Sequence, residues 1–164
     1  LYMDKLNDYI TNYIKITCFS ETKDNILMWA HYAKNHTGFC IEYDMTNPEF
    51  NDFKQELYPV FYSNKPLKRF ENELDITTYS FHLLTFLTKY KDWSYEKEWR
   101  YIQLRNKNQF VKIPVKPSCV YLGTKIDSEN YKTISDVCKI NNIPCHQMFI
   151  RVDKFCVKPS ICYS

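Results

Sequence analysis

The residues best suited to chemistry lie in one short segment, Trp93–Ile102, with the sequence WSYEKEWRYI. If the backbone is extended from Glu96, side chains alternate between two faces, so that Glu96, Glu98 and Arg100 share one face. Two close carboxylates resist simultaneous ionisation, and a neighbouring guanidinium favours the charged form. The segment therefore predicts one anionic carboxylate that can stabilise a cationic transition state and a second that serves as a hydrogen-bond partner.

Aromatic residues surround these two carboxylates. Trp93 and Tyr95 precede Glu96, and the whole chain contains 3 tryptophans and 14 tyrosines. Aromatic rings at such a place can stack on a nucleotide base or on a nicotinamide ring. The alternative is purely structural: the segment is then a charged edge strand with a surface Glu–Arg pair of small energetic value.

A second group of candidate residues lies in the motifs TCFS and MWAHY, which contain Cys18 and His31. A cysteine with a nearby histidine is the minimal pair of nucleophile and base. Spacing identifies no asparagine or aspartate that would orient the histidine, as a catalytic triad requires. The alternative is that Cys18 is buried in a central strand and His31 makes a polar contact on a helix face.

Local patterns predict the elements that position these motifs. Alternating polar and apolar residues predict a strand at 15–20, and runs of apolar and β-forming residues predict strands at 39–43, 60–62, 98–104, 110–115, 119–123, 146–152 and 155–157. Apolar residues at helical spacing predict helices at 25–34, from 68 to about 91, and from Asp127 or Ser128 to about 140. We expect 98–104 and 110–115 to pair as an antiparallel hairpin, and 92–95 to form a loop.

These elements interleave without a regular βαβ rhythm. The pattern favours an α+β fold with mixed or mainly antiparallel sheets and about three helices. A length of 164 residues favours a single domain over 1–164. Gly38 and Gly123 are the only glycines in the sequence, which excludes glycine-rich phosphate loops and dinucleotide-binding turns.

Composition also limits the partners and the compartment. The net charge of +3 gives no electrostatic support for a nucleic-acid partner. The apolar runs are far shorter than the roughly 20 residues that span a bilayer, and the first residues do not resemble a signal peptide. We therefore expect a cytoplasmic protein without a membrane partner. The 7 cysteines, an odd number without zinc-site spacing, predict free thiols and no metal.

Two blocks of the sequence resemble a bacterial family. CFSETKDNILMWAHYAKNHTGFCIEYD covers 18–44, and KYKDWSYEKEWRYI covers 89–102. They are similar to the family called domain of unknown function 2971, whose pattern contains a CFS strand, an MW..YA....G helix and turn, and a W..E.EWR strand. Supporting matches at 60–62 and 120–123 extend the resemblance over most of 16 to about 152. Because the family's opening segment is missing and Leu1 is not a methionine, we expect either that an N-terminal segment of the family domain is absent or that the chain is a divergent member.

The Glu96-Lys97-Glu98 element is in turn similar to the E-x-E element of mono-ADP-ribosyltransferases, and the strand that ends at Ser20 is similar to their second motif. Those enzymes remove nicotinamide from NAD through an oxocarbenium-like state. The resemblance implies that Glu98 is the catalytic carboxylate, that Glu96 activates the acceptor and that Ser20 supports the NAD pocket. The other candidate residues for nucleotide binding are Trp29, Tyr32, Trp93, Tyr95 and Arg100.

The resemblance thus implies an ADP-ribosyltransferase-like fold and an NAD-consuming enzyme, a glycosyltransferase with NAD as co-substrate. A role in bacterial antiphage defence or as a toxin is part of this expectation. Two alternatives stay open: a non-catalytic domain that senses a nucleotide or binds a protein partner, and a hydrolase that uses Cys18 and His31.

Overall fold

A computed structural model describes residues 14–67, 78–104 and 112–160 of the chain. The strands are β1 (Ile14–Ser20), β2 (Phe39–Glu42), β3 (Leu57–Pro59), β4 (Phe61–Ser63), β5 (Thr88–Tyr90), β6 (Glu98–Leu104), β7 (Cys119–Leu122), β8 (Cys145–Ile150) and β9 (Val157–Pro159). The α-helices are α1 (Ile26–Tyr32), α2 (Asn51–Lys54), α3 (Thr78–Leu87) and α4 (Ser128–Ile140), and two 3₁₀ helices cover Pro48–Phe50 and Lys91–Glu96.

The described chain forms two compact units, each built from two segments. The first unit combines Leu1–Glu21 with Asn51–Lys112, and the second combines Thr22–Phe50 with Ile113–Ser164. Within the described ranges, three helices of at least seven residues accompany antiparallel and mixed sheets, which confirms the predicted α+β class. The single domain over 1–164 stays a prediction.

β6 is the central strand of the first unit because it pairs along both edges. β1 runs antiparallel to it, with Ser20 opposite Glu98 and Cys18 opposite Arg100. β3 pairs with the other edge, with Tyr58 opposite Arg100. Residues directly opposite each other in an antiparallel pair share a face of the sheet. One face of this sheet therefore gathers Cys18, Ser20, Glu98 and Arg100.

The predicted hairpin between 98–104 and 110–115 is wrong where the structure describes it. Residues 112–118 form no strand, while 105–111 lie outside the described ranges. β6 pairs with β1 and β3 instead. Both partners are distant in sequence, so the local alternation that predicts a strand does not identify them.

A two-stranded parallel sheet completes the described part of the first unit. β4 pairs with β5, and Tyr62 lies opposite Lys89. The helix predicted from 68 to about 91 instead ends at Leu87, where Thr88 Oγ1 donates a hydrogen bond of 2.7 Å to the Leu84 carbonyl. Residues 68–77 lie outside the described ranges. The segment predicted as a loop at 92–95 is part of the Lys91–Glu96 3₁₀ helix.

The second unit contains a four-stranded mixed sheet in the order β2-β7-β8-β9. Every residue of β7 is buried, because alternate side chains enter two different cores. Trp29 of α1 packs with Tyr121 in one core, and Cys138 of α4 packs with Val120 and Leu122 in the other. The helices α1 and α4 thus stabilise the two surfaces of one strand.

Capping residues fix the starts of both helices in the second unit. The Asp127 side chain accepts a hydrogen bond of 2.8 Å from the Asn130 backbone N–H, and Asn25 accepts one of 2.9 Å from Leu27. The predicted start of α4 is therefore confirmed, whereas α1 begins one residue later than predicted, at Ile26, and ends at Tyr32 instead of residue 34. No described helix has both the length and the apolar character needed to cross a bilayer.

Gly123 lies where two segments of the second unit approach closely. A Cβ at this position would lie 2.1 Å from the His36 carbonyl oxygen and 2.8 Å from the Gly38 carbonyl oxygen. Both neighbours are backbone atoms, so a side-chain rotation cannot relieve the overlap. A Cβ at Gly38 would meet its nearest atom, the Ala33 carbonyl oxygen, at 3.1 Å.

We expect Gly123→Ala to lower the free energy of unfolding by about 2 kcal/mol, because the backbone must move to admit the methyl group. Gly38→Ala is the matched control and should cost clearly less. Urea denaturation followed by circular dichroism measures both values. Equal losses at the two glycines would contradict the close approach at Gly123.

Candidate functional site

Four charged side chains of the first unit meet at the start of β6, and we call them the charge cluster: Lys89, Glu96, Glu98 and Arg100. Lys89 Nζ forms an ion pair with Glu96 Oε2 and lies 3.0 Å from Glu98 Oε2. Arg100 holds Glu98 in a fork, with Nε 2.7 Å from Oε1 and Nη2 3.1 Å from Oε2. Two carboxylates are thus paired with two cations.

Both carboxylates of the charge cluster are buried, with 2% of Glu96 and 7% of Glu98 exposed. Burial raises the pKa of Glu98, but hydrogen bonds from Arg100, Cys18 and Lys89 outweigh this effect and lower that pKa to about 2. Glu98 is therefore an anion at neutral pH. Such a carboxylate can stabilise positive charge on a bound molecule.

Three neighbouring elements contact the cluster, two of them through its backbone. Ser20 of β1 donates a hydrogen bond of 2.6 Å from Oγ to the Glu96 carbonyl. Tyr62 of β4 accepts one of 2.9 Å from the backbone N–H that opens β6. Arg100 also donates from Nη1 to the Phe86 carbonyl near the end of α3. Ser20, predicted as a pocket residue, therefore positions the segment that carries the carboxylates.

The expectation of an extended backbone from Glu96 is wrong. Glu96 is the last residue of the 3₁₀ helix, and Lys97 has a left-handed backbone with a φ of 46°. The strand begins only at Glu98, and from there the alternation holds, because Glu98 shares a face with Arg100. The two carboxylates meet through Lys89 and not through the period of a strand.

Aromatic rings adjoin the charge cluster. Lys89 Nζ lies 5.1 Å from the centroid of the Trp93 ring, within the range of a cation–π contact. The Trp93 and Tyr95 rings lie 6.1 Å apart at an angle of 35°. Trp93 is 36% exposed, so part of its ring is accessible to a ligand. The structure therefore brings together six of the predicted residues: Ser20, Trp93, Tyr95, Glu96, Glu98 and Arg100.

Trp29 and Tyr32, the other two predicted binding residues, belong to the second unit. Trp29 is buried in a core of that unit, and its indole N–H donates a hydrogen bond of 2.8 Å to the Lys23 carbonyl. This burial argues against Trp29 as a stacking surface. Tyr32 is exposed and lies beside the His31 ring. A role for Tyr32 in nucleotide binding stays a prediction.

Cys18 lies on the same face of the first unit as the charge cluster. Although part of the residue is exposed, removal of its thiol from water and the adjacent Glu98 carboxylate raise its pKa to about 11. The thiol is therefore protonated at neutral pH, which does not favour a cysteine nucleophile. His31 belongs to the second unit.

The sequence does not identify two residues of the site, Lys89 and Tyr62. Lys89 stands in the KYKDWSYEKEWRYI block, seven and nine residues before the carboxylates that it pairs with. Residues 89–98 pass through β5, the 3₁₀ helix and β6, so no single helix or strand period relates Lys89 to these carboxylates. The parallel pairing of β4 with β5 places Tyr62 beside Lys89. Among the described residues, no group of three or more histidine, cysteine, aspartate or glutamate side chains could hold a metal ion.

The low pKa of Glu98 links the stability of the fold to pH. Its value in the folded chain, about 2, lies below the ordinary 4.5. A depressed pKa contributes stability above pH 4.5, and this stability is lost as the pH falls towards 2. At ~1.4 kcal/mol per pKa unit, the contribution is about 3 kcal/mol. We expect the wild-type chain to lose stability in this pH window more steeply than Glu98→Gln.

Urea denaturation at several pH values measures this difference. Asp92→Asn is the matched control, because Asp92 is an exposed carboxylate in the adjoining 3₁₀ helix. Its pH profile should match that of the wild-type chain. Parallel profiles for the wild type and Glu98→Gln would refute the depressed pKa.

The shared ammonium of Lys89 predicts a large loss of stability on its removal. Lys89→Met leaves the buried Glu96 carboxylate without this cation, and breaking a buried ion pair from one side costs about 3 kcal/mol. Lys91→Met, at an exposed neighbouring position, should change the free energy of unfolding by less than about 0.5 kcal/mol. Similar melting temperatures for the two variants would argue against a stabilising role of Lys89.

Comparison with known proteins adds one finding. The family described as Protein of unknown function (DUF2971) matches residues 28–101, which contain the MWAHYA and WSYEKEWR segments. No curated protein and no solved structure is found to match the chain. The CFS strand and residues 120–123 lie outside the matched range. Over residues 28–101, the chain therefore carries the sequence pattern of the DUF2971 family.

Proposed function

We propose that the first unit binds an NAD-like nucleotide and cleaves its nicotinamide–ribose bond, as an ADP-ribosyltransferase-like or other NAD-consuming enzyme. The observation that carries this proposal is the position of an anionic carboxylate, Glu98. It is ion-paired with Lys89, whose ammonium group also lies over the partly exposed Trp93 ring. Loss of nicotinamide leaves positive charge on the ribose, which a fixed anion stabilises. A role in bacterial defence is part of the proposal and rests on the family resemblance alone.

We assign the following roles to the residues of the site. Trp93 and Tyr95 would stack on a ring of the nucleotide, and Glu98 would face the ribose. Glu96 is buried and paired with Lys89, so we assign it the positioning of that cation and not the activation of an acceptor. Arg100 holds Glu98 and the Phe86 carbonyl, which gives it a positioning role as well.

The acceptor capacity of Glu98 sets a condition on this chemistry. A carboxylate offers about four acceptor positions, and Arg100 fills two of them while Lys89 and the Cys18 thiol fill the others. A thiol is a weak hydrogen-bond donor. A ribose hydroxyl would therefore reach Glu98 most easily by replacing Cys18.

The same saturation of Glu98 favours a second candidate function, a domain that binds a nucleotide without cleaving it. A carboxylate surrounded by donors of its own chain stabilises the fold and needs no substrate. The two candidates share the surface formed by Trp93 and Tyr95 and differ in the fate of the bound nucleotide. They are therefore separable by measuring binding and product formation on the same sample.

Incubation with NAD, followed by chromatography of released nicotinamide, tests the proposal. We expect release by the wild-type chain and a loss of about 100-fold or more in kcat for Glu98→Gln, the order of effect seen when one electrostatic contact to the transition state is removed. Asp92→Asn is the control and should keep the wild-type rate. Circular dichroism at the assay temperature must show that each variant is folded.

Three outcomes discriminate between the candidates. Wild-type turnover in folded Glu98→Gln would remove Glu98 from the mechanism. Calorimetric binding of NAD without release of nicotinamide would support the non-catalytic domain. Absence of both binding and release would contradict a nucleotide site on this unit.

A further inference from the structure

Tyr62 is placed in the site by two independent contacts. It lies opposite Lys89 in the parallel pair of β4 and β5. Its phenol oxygen accepts a hydrogen bond of 2.9 Å from the Glu98 backbone N–H. Tyr62 is therefore fixed on the same side of this two-stranded sheet as the charge cluster, whereas Tyr90, the next residue after Lys89, faces the opposite side.

The Tyr62 hydroxyl can still donate a hydrogen bond. Its oxygen is occupied as an acceptor by the Glu98 N–H, so its own hydrogen points elsewhere. Among the groups that the structure describes, which do not include the side chains of residues 78–82 and 104, none accepts that hydrogen. Burial, together with the Glu98 and Glu96 carboxylates, raises the pKa of Tyr62, so the phenol keeps its proton at neutral pH. Tyr62 is half-buried and is not sealed from a ligand.

The Tyr62 hydroxyl is a neutral hydrogen-bond donor beside a carboxylate whose acceptor positions are occupied. This combination favours one kind of ligand group. Lys89 and Arg100 already donate to the two carboxylates. Their positive charge is therefore neutralised and attracts an anionic group of a ligand only weakly. A sugar hydroxyl, in contrast, is neutral and offers an acceptor oxygen to the phenol. We propose that the Tyr62 hydroxyl donates a hydrogen bond to a hydroxyl oxygen of the nicotinamide ribose, which makes Tyr62 a residue that determines specificity for the sugar. This inference rests on the proposed function.

The experiment compares NAD with its analogues that lack the 2′- or the 3′-hydroxyl of the nicotinamide ribose. Calorimetry measures the dissociation constants, and initial rates give KM and kcat where the nucleotide is cleaved. We expect the wild-type chain to bind NAD about 10-fold more tightly than one of the two analogues. Tyr62→Phe should bind NAD and that analogue with the same affinity.

Tyr90→Phe is the matched control, because it removes a phenol hydroxyl from the same small sheet on its opposite face. It should keep the wild-type preference for NAD. A purely structural role of Tyr62 would lower the melting temperature of Tyr62→Phe but would leave the ratio of the two affinities unchanged. That unchanged ratio, or a wild-type chain indifferent to both hydroxyls, would overturn the inference.

The outcomes also separate this inference from the function on which it rests. A wild-type chain that binds no NAD contradicts the nucleotide site itself. A wild-type chain that binds NAD, with a Tyr62→Phe variant that discriminates between NAD and the analogues as before, leaves the nucleotide site standing and rejects only the role of Tyr62.

Discussion

The first unit depends on one shared ammonium group. Lys89 lies between two buried carboxylates, Glu96 and Glu98, whose charges would otherwise repel each other at low dielectric. Arg100 supplies the second cation. The burial of this set is tolerable only because every carboxylate has a cation beside it, since an isolated buried charge costs several kcal/mol.

Side-chain and backbone groups of the same residues also join the neighbouring elements. Arg100 reaches the carbonyl of Phe86 near the end of α3, and Ser20 of β1 holds the carbonyl of Glu96. Tyr62 of β4 accepts from the N–H that opens β6. The cluster lies on β5, the Lys91–Glu96 3₁₀ helix and β6, and it therefore joins these elements to β1, β4 and α3. A change at this junction alters stability and any ligand contact together, which is why each variant requires a matched control.

The sequence predicts those parts of the fold that local patterns encode. The period of 2 places Glu98 and Arg100 on one face of β6, and Asp127 marks the start of α4. Tertiary pairing decides the rest. The three-residue strands β3, β4 and β5 have too few residues for a period, and the parallel contact between Tyr62 and Lys89 follows from no spacing rule. The strand period predicts that Glu96 lies beside Glu98, but in the structure a left-handed Lys97 and the shared Lys89 cation bring the two carboxylates together.

Stability and the proposed catalysis make opposite demands on Glu98. Each donor that lowers its pKa also occupies an oxygen that a substrate would need. Arg100 donates two hydrogen bonds from a charged guanidinium, and Lys89 donates one from a charged ammonium. Hydrogen bonds from charged donors are strong, so breaking either contact requires much free energy. The thiol of Cys18 is the weakest member of the set. If Glu98 acts on a sugar, the exchange of a thiol for a hydroxyl is the least costly route to it, and the rest of the cluster can then stay intact during the reaction.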